Sequence, residues 1–99
     1  MALKILMLRK QLTTEEANNA ALRATLAPFA QREQDLAQSI EAASTEEERS
    51  AVQAAVEAFE SERDAAQAAV TASDARISEL RGQIEAAEQA QQAAAAAGG

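Results

Sequence analysis

The chain has 99 residues, of which 47% are hydrophobic and only two are aromatic, and its formal net charge at pH 7 is −7. It has no Cys and no His, which excludes disulfides, thiolate or imidazole nucleophiles, and zinc sites built from those side chains. Ala, Gln, Glu and Arg dominate, the only proline is Pro28, and no glycine precedes Gly82. This composition predicts an all-α protein of long helices or coiled coil. The heptad pattern further predicts that these helices form a long antiparallel helical hairpin.

The basic residues are interspersed among acidic ones and form no basic face. Since binding to a phosphate backbone needs such a face, we expect no nucleic-acid partner. The apolar start MALKILML is too short to span a bilayer and lacks a small-residue cleavage site. We therefore expect no membrane association and a location in the cytoplasm.

The first ten residues carry large apolar side chains on several faces of a helix. Leu3, Leu6 and Met7 lie beside Ile5 and Leu8, and one partner helix cannot cover all five. Three basic residues give this segment a charge of +3, which leaves −10 for the rest of the chain. We predict that Leu3, Leu6 and Met7 dock against another protein or a neighbouring copy. A membrane-surface anchor is the alternative interpretation.

Heptad spacing is the strongest pattern in the chain. Alternate steps of three and four from Ile5, and again from Val52, land mainly on large apolar residues, so each half carries a coiled-coil seam. The predicted interaction seam comprises Ile5, Leu8, Leu12, Leu22, Leu26, Phe29, Leu36, Ile40, Val52, Val56, Phe59, Val70, Ile77, Leu80 and Ile84. Glu15 and Asn19 interrupt the seam. Either these polar residues specify the register of the two helices, or their side chains simply tilt toward solvent.

Helix boundaries follow from the heptad phase, which slips by two residues between the two halves. A continuous coiled coil absorbs insertions of three or four residues, so we predict a turn there. Thr45 with Glu48 forms a capping-box pattern. We predict helices over 3–43 and 46–92, which form a hairpin module over 1–92, and an Ala/Gly linker or boundary tail over 93–99.

Two local features refine the first helix. Pro28 removes a backbone donor and crowds the preceding turn, which predicts a kink or short break near residues 24–28. Thr13 with Glu16 repeats the capping-box pattern, so residues 2–12 form either a separate segment or part of a bent helix.

The register of an antiparallel pair follows from facing residue numbers that sum to a constant. A sum of 95 or 96 places Leu36 beside Phe59 and Glu33 opposite Arg63, so that a polar interruption in one seam meets the opposite charge in the other. It also places Phe29 beside a small residue, Ala66.

No motif predicts chemistry. The acidic run over 46–48 is typical of a helix start, and the chain has neither a glycine-rich phosphate loop nor a calcium-binding loop. Two carboxyls that act as acid and base need a cleft, which a thin hairpin does not provide. We expect no catalytic residue, no cofactor and no metal.

Three segments together resemble a known family. These are the opening MALKILMLRKQL, the segment 22–36 that ends in FAQREQDL, and TEEERSAVQAAVEAFESERD over 45–64. They resemble the N-terminal delta domain of tailed-phage major capsid proteins with the Hong Kong 97 type fold. The resemblance covers nearly the whole chain, which is richer in Ala and Gln than is usual for the family.

The resemblance implies a fused internal scaffold for capsid assembly, with other copies and neighbouring capsid subunits as partners. It further implies a position inside the immature capsid, in the cytoplasm of a bacterial host, and removal by a prohead protease during maturation. The alternative is a free-standing coiled-coil adaptor or oligomerisation protein. A capsid domain encoded after Gly99 would favour the scaffold, and a gene that ends there would favour the adaptor.

Overall fold

The computed structural model describes residues 2–98, and these are helical except at two short connections. Helix α1 spans Ala2–Ala24, α2 spans Ala27–Ala42 and α3 spans Glu46–Gly98. The described residues contain no strand. The predicted fold class, an all-α helical hairpin, is therefore confirmed. Met1 and Gly99, the outer limits of the predicted module and tail, lie outside the described residues.

Tertiary contacts divide the chain into two compact units. Unit 1 comprises residues 1–20 and 71–99, and unit 2 comprises residues 21–70. Each unit thus contains a segment from before the 43–45 connection and a segment of α3.

In unit 1 the first part of α1 packs against the last part of α3. The core cluster consists of Leu8, Leu80 and Ile84, with Leu12 and Ala87 packed against it. All five are apolar and belong to the heptad series of the two halves. Burial of these side chains is what holds the two segments together, because it removes apolar surface from water.

Two ion pairs across unit 1 show that its helices run antiparallel. Arg9 lies 3.3 Å from the carboxylate of Glu88, and Arg81 lies 3.2 Å from that of Glu16. The residue number in α3 falls from 88 to 81 as the residue number in α1 rises from 9 to 16, as antiparallel packing requires. All four side chains are largely exposed, so each pair contributes at most about 1 kcal/mol to stability.

Unit 2 contains the predicted interruption of the first helix. Helix α1 ends at Ala24 and α2 begins at Ala27, with Thr25 and Leu26 between them in a turn. Pro28 stands in the first turn of α2, where its missing N–H breaks no helical hydrogen bond. The Thr25 hydroxyl donates to the carbonyl oxygen of Leu22 at 2.6 Å, which satisfies one acceptor at the end of α1.

The hairpin turn in unit 2 consists of residues 43–45 and is closed by the predicted cap. The backbone N–H of Glu48 donates to the Thr45 hydroxyl oxygen, and the backbone N–H of Ser44 donates to the Glu48 carboxylate, both at 3.1 Å. Three acidic residues follow in the first turn of α3, where the helix dipole favours negative charge. The prediction that Thr45 and Glu48 start the second helix is confirmed.

The second capping-box pattern does not start a helix. Helix α1 runs unbroken through Thr13, whose hydroxyl donates back to the carbonyl oxygen of Arg9 at 3.1 Å. A threonine inside a helix commonly makes this bond instead of capping. Residues 2–12 are therefore not a separate segment.

The predicted end of the second helix at residue 92 is wrong, because α3 continues to Gly98. Residues 93–97 are all alanine, which has the highest helix propensity, so the chain stays helical without tertiary packing. Every residue from 89 to 98 is exposed.

Candidate interaction surfaces

The structure buries or half-buries every predicted seam residue except Ile40. Leu80 has the lowest exposure, at 0%. Ile40 was predicted to lie in the seam, but its side chain is 55% exposed. Ile40 lies two residues before α2 ends at Ala42. No further turn of α2 follows that could cover its side chain.

Two polar residues of the seam face their partner helix within unit 1. The Ser73 hydroxyl donates to Glu15 Oε2 at 2.6 Å, and Asn19 Nδ2 donates to Asp74 Oδ1 at 2.8 Å. Asn19 and Ser73 are both buried. Hydrogen bonds of this kind specify register, because sliding one helix past the other would leave buried polar groups unpaired. Neither Glu15 nor Asn19 simply tilts to solvent.

These hydrogen bonds lower the pKa of Glu15 below its ordinary value of 4.5, chiefly through the Ser73 hydroxyl and then through the Asn18 amide. A carboxyl whose native pKa is lowered stabilises the fold above its unfolded pKa. That contribution disappears as the pH falls below about 4.5 and through the native pKa.

We expect Glu15→Gln to lose less stability than the wild type between about pH 7 and about pH 3, because the introduced amide does not titrate. Ser73→Ala should raise the pKa of Glu15 toward its ordinary value. Thermal unfolding at a series of pH values measures the first effect, and carboxyl NMR titration measures the second. Identical pH profiles for Glu15→Gln and the wild type would contradict this expectation.

An aromatic and arginine cluster lies in unit 2. The ring centroids of Phe29 and Phe59 are 5.7 Å apart, and the Arg32 guanidinium lies 5.1 Å and 5.4 Å from them. Arg32 also pairs with Glu62 at 2.8 Å. Sequence reasoning missed this cluster, although Arg32 follows Phe29 by three residues and therefore lies on the same helical face.

The cluster corrects the predicted register. Phe59 was placed beside Leu36 and Phe29 beside Ala66, but the two rings lie against each other. The predicted cross-helix pair of Glu33 with Arg63 is also wrong, because Arg63 pairs with Asp64 at 3.3 Å and lies over the Phe59 ring. Aromatic pairing and cation–π contact contribute roughly 0.5–1.5 kcal/mol each, more than an exposed ion pair.

One face of α1 in unit 1 remains uncovered, and we call it the end face. It consists of Leu3, Leu6 and Met7, which are 75%, 63% and 64% exposed, together with Lys10. These residues follow the spacing i, i+3, i+4 and i+7, which places them on one side of a helix. The three predicted docking residues therefore form one surface.

A shallow groove of about 420 Å³ lies near the turn in unit 2, and we call it the tip groove. It is lined by residues of α2, the connection and α3, namely Ile40, Ala43, Arg49, Val52, Gln53, Val56, Glu57 and Glu60. Ile40 supplies its most exposed large apolar side chain. The sequence did not indicate this groove, because the heptad pattern assigned Ile40 to the seam.

The residues from 2 to 98 contain no group of three or more carboxylates able to hold a metal ion. None of the described helices combines the length and apolar character needed to cross a bilayer. Comparisons of the chain with protein-family models, curated proteins and solved structures gave no significant match.

Proposed function

We propose that the chain is a non-catalytic assembly module that associates with other copies through exposed apolar surface. The end face is the observation that carries this proposal, because it holds three large apolar side chains that are each more than 60% exposed. Contiguous exposed apolar residues mark interaction sites. Full burial of one such side chain contributes about 1.5–3 kcal/mol, so association that covers the end face is favoured.

Each contact between copies is expected to be weak. The end face offers only three apolar side chains, and their burial must offset the translational and rotational freedom lost on association. We expect micromolar or weaker affinity for one contact. Many linked copies would still assemble through avidity, and a wrongly placed copy could dissociate.

The assembly we propose is that of a phage capsid, in which the module is a fused internal scaffold. The support is the resemblance of 1–12, 22–36 and 45–64 to the delta domain of capsid proteins, together with the helical hairpin. Its partners would be other copies and neighbouring capsid subunits, inside the immature shell in the bacterial cytoplasm. The net charge of −7 would oppose incoming DNA, which is a physical reason for removing the module.

Removal would require cutting by a prohead protease in or after residues 86–99. Residues 89–98 are all exposed, so this stretch of the tail is accessible. Helix ends without tertiary packing open at little free-energy cost, which makes the backbone available to a protease. A single observation separates this proposal from a free-standing adaptor: the natural reading frame after Gly99 should encode a capsid domain.

Association through the end face predicts that Leu3→Gln, Leu6→Gln and Met7→Gln together lower the average mass of the module in solution. All three positions are exposed while Ile5 and Leu8 keep the packing of unit 1, so the fold should survive. Light scattering over a concentration series measures the mass, and circular dichroism verifies helix content.

The matched control replaces three exposed alanines of α3, Ala65, Ala68 and Ala72, with glutamine. This control should associate as the wild type does. An unchanged mass for the end-face variant at every concentration would show that these residues do not drive association.

A further inference from the structure

The end face and the tip groove carry opposite charge. The segment 2–10 holds three basic residues and no acidic one. The segment 35–60, which contains the tip groove, holds seven acidic residues and one basic residue, a net charge of −6. The charged residues that line the groove itself are Glu57, Glu60 and Arg49. Both surfaces also expose large apolar side chains, at Leu3, Leu6 and Met7 in one case and at Ile40 in the other.

The end face has the geometry of a helix that docks in a groove. Each helical residue turns about 100° around the axis, so Leu3, Leu6 and Met7 point away from the side on which Ile5 and Leu8 are buried. No helix of unit 1 covers them. Anchors at i, i+3, i+4 and i+7 are the spacing by which an amphipathic helix enters an apolar groove.

The lysines on and beside the end face carry charge that no ion pair among the described residues neutralises. Neither Lys4 nor Lys10 forms an ion pair with another described residue, whereas Arg9 is paired with Glu88. Lys10 is centred between Leu6 and Met7 on the end face, and Lys4 lies at its edge.

The tip groove offers acceptors for these lysines. Val52 and Val56 are half-buried in it, while Glu57 and Glu60 are exposed at its rim. Among the described residues Glu60 has no ion-pair partner, and Glu57 accepts only a 3.4 Å hydrogen bond from Gln53. Apolar side chains flanked by carboxylates match an apolar helix flanked by lysines.

Symmetric contacts are disfavoured by the same charges. Two end faces brought together would oppose positive charge with positive charge, and two tip grooves would oppose negative with negative. Like charges brought face to face across an interface cost free energy, whereas opposite charges orient the partners. The favoured contact is therefore between different surfaces of two copies.

We propose that the end face of one copy docks in the tip groove of a second copy, with Leu6 against Ile40 and with Lys4 and Lys10 toward Glu57 and Glu60. This inference rests on the proposed self-association and specifies which surfaces meet. Such a contact is heterologous, so an open chain of copies always keeps one free end face and one free tip groove for further copies. Further copies then add until the chain of copies closes into a ring or its growth is stopped.

The test uses two variants that each block one surface, Leu6→Glu and Ile40→Glu. Both positions are more than half exposed, so circular dichroism should show unchanged helix content. Each variant alone should associate at least about tenfold more weakly than the wild type, because an unpaired charge would be buried in every contact. Mixed at equal concentration, they should form a 1:1 complex and nothing larger, since one intact end face meets one intact groove.

Analytical ultracentrifugation of each variant, of the mixture and of an Ala65→Glu control distinguishes the outcomes. If Leu6→Glu is monomeric while Ile40→Glu associates like the wild type, the end face binds elsewhere and the tip-groove contact is wrong, although the proposed self-association stands. A mixture that stays monomeric would also overturn the contact. A wild type that is monomeric at every concentration would instead overturn the proposed function, and the contact with it.

Discussion

Replacing Leu80 with alanine should destabilise unit 1 by about 2–5 kcal/mol, the usual cost of removing a large buried side chain. Leu80 is 0% exposed and forms the core cluster with Leu8 and Ile84. Alanine is at least as good a helix former as leucine, so the loss reflects packing and not helix propensity. Since small domains have a total stability of roughly 5–15 kcal/mol, this change is a large part of the whole.

Urea unfolding followed by circular dichroism measures the loss, and hydrogen exchange locates it. Amides in residues 2–20 and 71–98 should exchange faster in Leu80→Ala, because the packing of these two segments depends on the core cluster. A change in stability below about 0.5 kcal/mol, the range typical of surface substitutions, would contradict the central position of Leu80.

The control is Gly82→Ala, two residues away in the same helix. Gly82 is exposed, and a Cβ added there would meet no atom within 4 Å apart from the neighbouring backbone of its own helix, so a close helix approach does not explain this glycine. The substitution should stabilise the protein by up to about 1 kcal/mol through helix propensity. The two variants should therefore shift stability in opposite directions.

The second large effect is expected in capsid assembly. If the chain is the proposed fused scaffold, changing Leu22, Leu26 and Phe29 to polar residues in the whole capsid protein should yield aberrant shells or none. All three are half-buried in unit 2, and Phe29 lies 5.7 Å from Phe59, so polar side chains there would disrupt the packing of unit 2. A scaffold that does not fold cannot hold subunits at high local concentration.

Electron microscopy of assembled particles measures this outcome, and the capsid domain that the proposal implies should remain folded. The control changes Ala30, Gln34 and Gln38 to serine at exposed positions of α2, the helix that contains Phe29. Normal shells from the Leu22, Leu26 and Phe29 variant would show that the helical hairpin does not drive assembly. Defective shells from the control would attribute the effect to helix propensity and not to the packed face.

The helical hairpin could be predicted because its determinants are local. Heptad spacing, the phase slip between the two halves, and Thr45 with Glu48 lie within a few residues of each other and specify helices and a turn by themselves. Pro28 marked the interruption after Ala24 for the same reason, since its missing N–H acts on its own turn. Thr13 resembled a cap but lies inside α1, because a hydroxyl can bond either to a following N–H or to a preceding carbonyl.

The surfaces depended on information that local patterns do not contain. The exposure of Leu3, Leu6 and Met7 was predictable because one partner helix covers only one face of α1. The tip groove was not, because the exposure of Ile40 depends on where α2 ends relative to α3.

By itself the sequence determined the all-α hairpin, its turn and the residues able to pack, because heptads, caps and proline act within one or two turns of helix. Only the tertiary structure decided the register, by placing Phe29 against Phe59 with Arg32 over both rings and by joining Ser73 to Glu15. Heptad repeats tolerate several registers of similar apolar burial. Which one forms is therefore settled by a few aromatic, cation–π and hydrogen-bond contacts between residues far apart in the chain.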